Sequence, residues 1–117
     1  MKEYNLKQYA HIGDSVWELF IRLYIIEKNT TSKALHTETT KRVNADFQAK
    51  ILEKLELTED EKILVKRGRT LPLTVQKRNN QSIHRLATAL EVVIGFLYLN
   101  NKSRLSEIFE FIKENAL

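Results

Sequence analysis

His11-Ile12-Gly13-Asp14-Ser15-Val16-Trp17-Glu18-Leu19-Phe20-Ile21-Arg22 is the stretch around which the rest of the chain is organised. It lies inside an apolar segment from about Leu6 to Ile26 that reads as a helix buried on several sides. Beyond Lys7 at its start, three charges interrupt the segment, Asp14, Glu18 and Arg22, and their i, i+4, i+8 spacing sets them on one helical stripe. A carboxylate among so many apolar neighbours is costly to bury unless something pairs with it. The partner is Arg22, a metal ion, or both.

A second helix repeats the pattern. From Leu86 to Leu99 every residue is uncharged except Glu91, and His84, Thr88, Glu91 and Gly95 share a stripe. Two apolar helices are natural neighbours in a core. Packed with their acidic stripes facing, they bring Asp14 and Glu91 together. Two carboxylates that close repel, and one takes up a proton unless a cation sits between them. Hard divalent cations such as Mg²⁺ favour an all-oxygen site of this kind, completed by water and phosphate. A purely structural arrangement competes with this one: Glu91 pairs with Arg22 or Arg85, and Asp14 bonds to a neighbouring hydroxyl. Spacing alone leaves both open.

Working outward, 117 residues suit one domain with a single core. Three glycines and one proline are few for a sandwich or a doubly wound fold, so an all-α fold of about six long helices is expected. There is no cysteine, which removes disulfides, thiolate zinc sites and cysteine nucleophiles and fits a reducing cytoplasm. The N-terminus lacks the apolar core of a signal peptide. The longest uncharged run, Val92 to Asn101, is too short to span a bilayer, so no membrane role is expected. A formal charge of +4 admits a polyanionic partner without requiring one.

The spacing predicts helix one over Asn5 to Lys28, then a short helix over Lys33 to Thr40 with Ser32 as its cap. Asn44 caps a third helix with Phe47, Ile51, Leu52 and Leu55 on one face. Thr58-Glu59-Asp60-Glu61 has the form of a capping box, and the helix it opens runs into Lys66-Arg67-Gly68-Arg69, where the glycine reads as a stop. Thr70 to Gln81 is the one long polar connection and carries Pro72, Lys77 and Arg78; loops of about a dozen residues in compact chains are more often functional than idle. Helix five covers Ser82 to Leu99. Ser103 is expected to cap a last amphipathic helix bearing Leu105, Ile108, Phe109 and Ile112.

Ile12-Gly13-Asp14-Ser15-Val16 resembles the Gly-Asp-Ala/Ser-Val signature of ribonuclease III catalytic domains. Thr88-Ala89-Leu90-Glu91-Val92-Val93-Ile94-Gly95 resembles the family's second acidic motif, a glutamate followed four residues later by glycine. The Mini-III branch, which has no separate double-stranded-RNA-binding domain, is the nearer likeness. It rests also on Glu18 and Arg22, Leu35-His36, Val43-Asn44-Ala45 with Gln48-Ala49, Leu64-Val65-Lys66-Arg67-Gly68-Arg69 and Ala87-Thr88-Ala89-Leu90-Glu91, in the same order over nearly the whole chain. Longer ribonuclease III proteins carry further acids where this chain has Ala10 and Thr88. That departure puts the number of metal ions in question.

The resemblance implies hydrolysis of double-stranded RNA in one catalytic domain spanning 1–117. Asp14 and Glu91 would be catalytic and would hold Mg²⁺, with Mn²⁺ able to substitute. Glu18, Arg22 and Thr88 would support them, and His84 reads as structural. Asp46 reads as a solvated helix start. Lys66, Arg67, Arg69, Lys77, Arg78 and Arg85 would contact RNA, whose A-form duplex is read by shape, phosphates and 2′-hydroxyls. For Lys66 and Arg67 the bland alternative is that they complement a helix C-terminus. A homodimer would cut both strands, and large-subunit (23S) ribosomal RNA precursor is the substrate expected by analogy. Two other classes compete: a non-catalytic helical RNA-binding or ribosome-associated protein, and an unrelated protein-interaction domain. Asp14 and Glu91 far apart in the fold would favour the last.

Overall fold

The computed structural model describes residues 3–73 and 80–117. Among them the secondary structure is helical throughout: α1 (Leu6–Ile26), α2 (Ser32–Thr40), α3 (Ala45–Lys54), α4 (Glu59–Gly68), α5 (Gln81–Asn100) and α6 (Lys102–Ala116). The central element is α5, against which α1, α3, α4 and α6 all pack. It is long and apolar enough to cross a membrane on length and composition, which the shorter run from Val92 did not reach. Here its apolar surface serves a protein core: Ala87, Ala89, Leu90, Val92, Val93, Ile94, Gly95 and Leu97 are buried by the surrounding helices.

Glycines let α1 and α5 cross with their backbones in contact. A Cβ on Gly13 would overlap the carbonyl oxygen of Glu91, and one on Gly95 would overlap the carbonyl oxygen of Tyr9. No side chain fits at either position. The crossing therefore sets Asp14, the residue after Gly13, beside Glu91 through backbone contact rather than side-chain packing.

The core on the other side of α1 is aromatic. Trp17 is fully buried, and its ring meets Phe20 and Phe47. Its indole N–H, costly to bury without a partner, donates to the carbonyl of Arg42 at 2.8 Å and so ties the α2–α3 corner to α1. Phe20 stacks on Phe109 with ring centroids 3.9 Å apart, which seats α6. A second tie joins α4 to α6. Arg104 forks onto Glu61, Nε to Oε2 and Nη2 to Oε1, both at 2.9 Å, while Nη2 also donates to the carbonyl of Glu56. That guanidinium, together with the Thr58 N–H of the α4 capping box, holds the Glu61 carboxyl below its ordinary range despite burial; the Arg104 pKa moves up for the same reason.

The helix ends refine several expectations. Asn44 caps α3 and Thr58 with Glu61 forms the α4 capping box. The cap of α2 is Thr31 rather than Ser32, which is the first helical residue, and the cap of α6 is Asn101 rather than Ser103: the Asn101 side chain accepts from the N–H of Arg104. Helix α1 stops at Ile26, two residues before Lys28. Gly68 is not a left-handed stop. It is the last residue of α4, followed by right-handed Arg69, and it is small because a Cβ there would stand 3.1 Å from the Cα of Ala89 on α5. Among the described residues the left-handed one is Asn80, at φ 58°, just before α5.

Candidate active site

Asp14 on α1, Thr88 and Glu91 on α5, and Gln48 on α3 converge on one cleft of about 250 Å³, whose walls also include Val43, His84 and Ala87. The two carboxylates expected to face each other line the same cleft. Their burial differs from expectation: Asp14 is exposed and Glu91 is half-buried, because the stripe of Asp14, Glu18 and Arg22 runs along the solvent edge of α1 rather than into the core. An exposed Asp14 needs no buried partner for its charge.

Both arginines proposed as structural partners for Glu91 are engaged elsewhere. Arg22 lies 3.3 Å from Glu18, a solvent-exposed i, i+4 pair worth at most about 0.5 kcal/mol. This pair borders the next depression along the surface, of about 480 Å³, where Leu35, His36, Thr39 and Thr40 of α2 also lie; Val43 lines both hollows. Arg85 donates from Nη1 to the carbonyls of Arg69 at 2.9 Å and Leu71 at 3.3 Å, closing off the C-terminal end of α4. Glu91 instead accepts from the Gln48 amide, Nε2 to Oε2, at 3.4 Å.

Gln48 is the residue for which sequence reading gave no role, though it is among the few buried polar side chains. A signal existed: Gln48 precedes Ile51 and Leu52 by three and four positions, so it sits on the apolar face of α3. His84, read as structural, lines the cleft. Asp46 lies exposed in the first turn of α3, where the macrodipole favours an acid. Lys66, Arg67 and Arg69 are exposed at the end of α4, and Lys77 and Arg78 lie outside the described residues.

Whether a cation suits the cleft is decided by its donors. Two carboxylates offer oxygen to the cleft, and among the described residues no cluster of three or more His, Cys, Asp or Glu side chains occurs. Mg²⁺ fits that set: it binds through one or two carboxylates and keeps its other positions for water and substrate phosphate.

A helical fold built on this crossing, with its paired acids in one cleft, places the chain in a class that comparison with known proteins makes explicit. Residues 7–102 match the family model described as Ribonuclease III domain, and the chain belongs to that family. Within it the branch is that of the Mini-ribonuclease 3 proteins. The chain is 42% identical to Mini-ribonuclease 3 of Clostridium tetani, covering 96% of this chain and 78% of that protein, and 37% identical to that of Thermosynechococcus vestitus, covering 88% and 70%. The crystal structure of a protein from Fusobacterium nucleatum superposes with a TM-score of 0.81 at 29% identity, covering 97% of this chain and 95% of the other. The chain is thus an endoribonuclease of the Mini-III type.

Proposed function

We propose that this enzyme hydrolyses double-stranded RNA with a divalent cation, Mg²⁺ or Mn²⁺, held by Asp14 and Glu91. The observation that carries the reading is their convergence on one cleft from α1 and α5. Bound there, the cation supplies Lewis-acid chemistry for phosphodiester hydrolysis. The chain's own contribution is placement. The Gly13–Glu91 backbone contact fixes the two acids relative to each other, and the exposure of Asp14 leaves the site within reach of a duplex backbone without base unpairing. Lys66, Arg67 and Arg69, exposed at the end of α4, supply phosphate contacts, as do Lys77 and Arg78 of the polar connection, with Arg85 holding the α4 end in place.

The working unit is a homodimer. Leu19, Leu23 and Ile26 on α1 are each more than half exposed, and Tyr98 and Leu99 on α5 extend the apolar surface. A second copy covering this face buries it and supplies the second site that a two-stranded substrate needs. Leu23→Glu should convert dimer to monomer in analytical ultracentrifugation; an unchanged mass would remove this face from the account. The substrate by analogy is large-subunit ribosomal RNA precursor, in the cytoplasm. Cleavage of an end-labelled duplex with Mg²⁺ and with chelator tests the activity. Metal-dependent cutting is expected, and a folded protein that binds duplex without cutting would favour a non-catalytic role.

A further inference from the structure

We infer that Gln48 is a positioning residue for Glu91, holding the plane of its carboxylate in the orientation that receives the cation. The inference rests on the metal-dependent reading above and adds to it a group that touches neither cation nor RNA. Gln48 is 3% exposed, a primary amide sunk into the apolar face of α3, and its side chain reaches Glu91 across the cleft wall. Its own position is over-determined. Asn44 caps α3 by accepting from the N–H of Phe47 and donates to the carbonyls of Thr40 and Lys41. The α2–α3 corner just before it is tied to α1 through Trp17 and the Arg42 carbonyl, and Phe47, the residue before Gln48, packs against the Trp17 ring. Trp17 is itself one turn from Asp14 on α1. Thus α3 is locked to the helix that carries one acid and extends an amide to the other.

The chemistry of the group fits the task. An amide N–H restrains a carboxylate by hydrogen bonding without neutralising it, whereas a lysine or arginine would compete with the cation for the same charge. At 3.4 Å the bond is long, as catalytic hydrogen bonds often are before ligand engages and they tighten. Groups that orient metal ligands from behind typically govern about 10–100-fold in metal affinity or activity. The buried carboxylate Glu61, by contrast, is held by a guanidinium, and its role is structural.

The test is Gln48→Met, which keeps an unbranched chain of similar length and removes the donor, beside Gln48→Asn, which keeps the amide one methylene short. Mn²⁺ binding to the RNA-free protein, followed by electron paramagnetic resonance of the free ion, is read together with kcat, KM and Tm. The expected result for Gln48→Met is metal affinity weakened about tenfold or more, kcat lowered with KM little changed, and Tm within a few degrees of wild type. Gln48→Asn should move the same quantities less, and carries the test if Gln48→Met does not fold. Wild-type Mn²⁺ affinity and kcat in a folded variant would overturn the inference, leaving Gln48 as packing, while wild type would still bind and cut. Failure of wild type itself to bind Mn²⁺ or to cut would overturn the metal reading, and this inference with it.

Discussion

Glu61 and Glu91 are both carboxylates set among apolar helix faces, and each accepts a hydrogen bond from a residue 43 positions away in the chain. Their surroundings differ. Glu61 is buried, meets the Arg104 guanidinium through two bonds of 2.9 Å, and takes a third from the Thr58 backbone, so its charge is spent in joining α4 to α6. Glu91 meets the uncharged amide of Gln48 and opens onto a cleft that it shares with a second carboxylate. Glu61 is tied to a guanidinium and holds the fold; Glu91 faces a cleft that it shares with a second carboxylate, an arrangement suited to a cation. Chain composition does not separate the two cases. The surroundings of each acid do.

That contrast is most sharply broken by removing charge in the cleft. Asp14→Asn or Glu91→Gln should lower duplex cleavage about a thousandfold or more while leaving Tm within a few degrees, as measured by single-turnover cleavage and thermal melting. An unfolded variant would place that acid with Glu61, as a structural group. Next in size is Gly13→Ala, whose methyl would overlap the Glu91 carbonyl. Forcing the helices apart should cost about 3 kcal/mol by chemical denaturation and depress cleavage as well, because the same contact sets the fold and the site.

The clamp should behave in the opposite way to the cleft. Arg104→Ala leaves the buried Glu61 without its main partner and should cost about 3 kcal/mol with kcat per folded molecule unchanged. The pH dependence has a definite sign. The Glu61 carboxyl is depressed below 4.5 by Arg104, so its stabilisation is fully present above that pH and is lost as pH falls through the lowered value. Urea unfolding of wild type below about pH 4.5 should show this loss, and Glu61→Gln should flatten it. The smallest effect belongs to the Glu18–Arg22 pair: Arg22→Ala should change stability by about 0.5 kcal/mol or less, since both groups are solvated.

The sequence disclosed the helices and the acids more readily than their partners. Isolated charges in apolar runs marked α1 and α5, and the capping residues Asn44 and Thr58 sit where their side-chain chemistry requires. What local pattern could not show was the exposure of Asp14, because amphipathic spacing locates a stripe without saying whether a neighbour covers it. Gly68 read as a stop because a glycine between basic residues at a helix end has that form, whereas its role is close approach to Ala89. Ser103 lost the α6 cap to Asn101, two residues earlier, since either side chain can accept from a first-turn N–H. Gln48–Glu91 and Glu61–Arg104 were both illegible for the same reason: each pair is created by tertiary packing between segments far apart in the chain.

The claim at the centre of this account is that Asp14 and Glu91 act as one unit. Mg²⁺-dependent cleavage rates of a labelled RNA duplex by wild type, Asp14→Asn, Glu91→Gln and the double variant test it directly. The account predicts that each single substitution removes nearly all activity and that the double variant is no worse than either, the non-additivity of residues serving one function. Near-wild-type cutting by either folded single variant, or losses that multiply in the double variant, would contradict it.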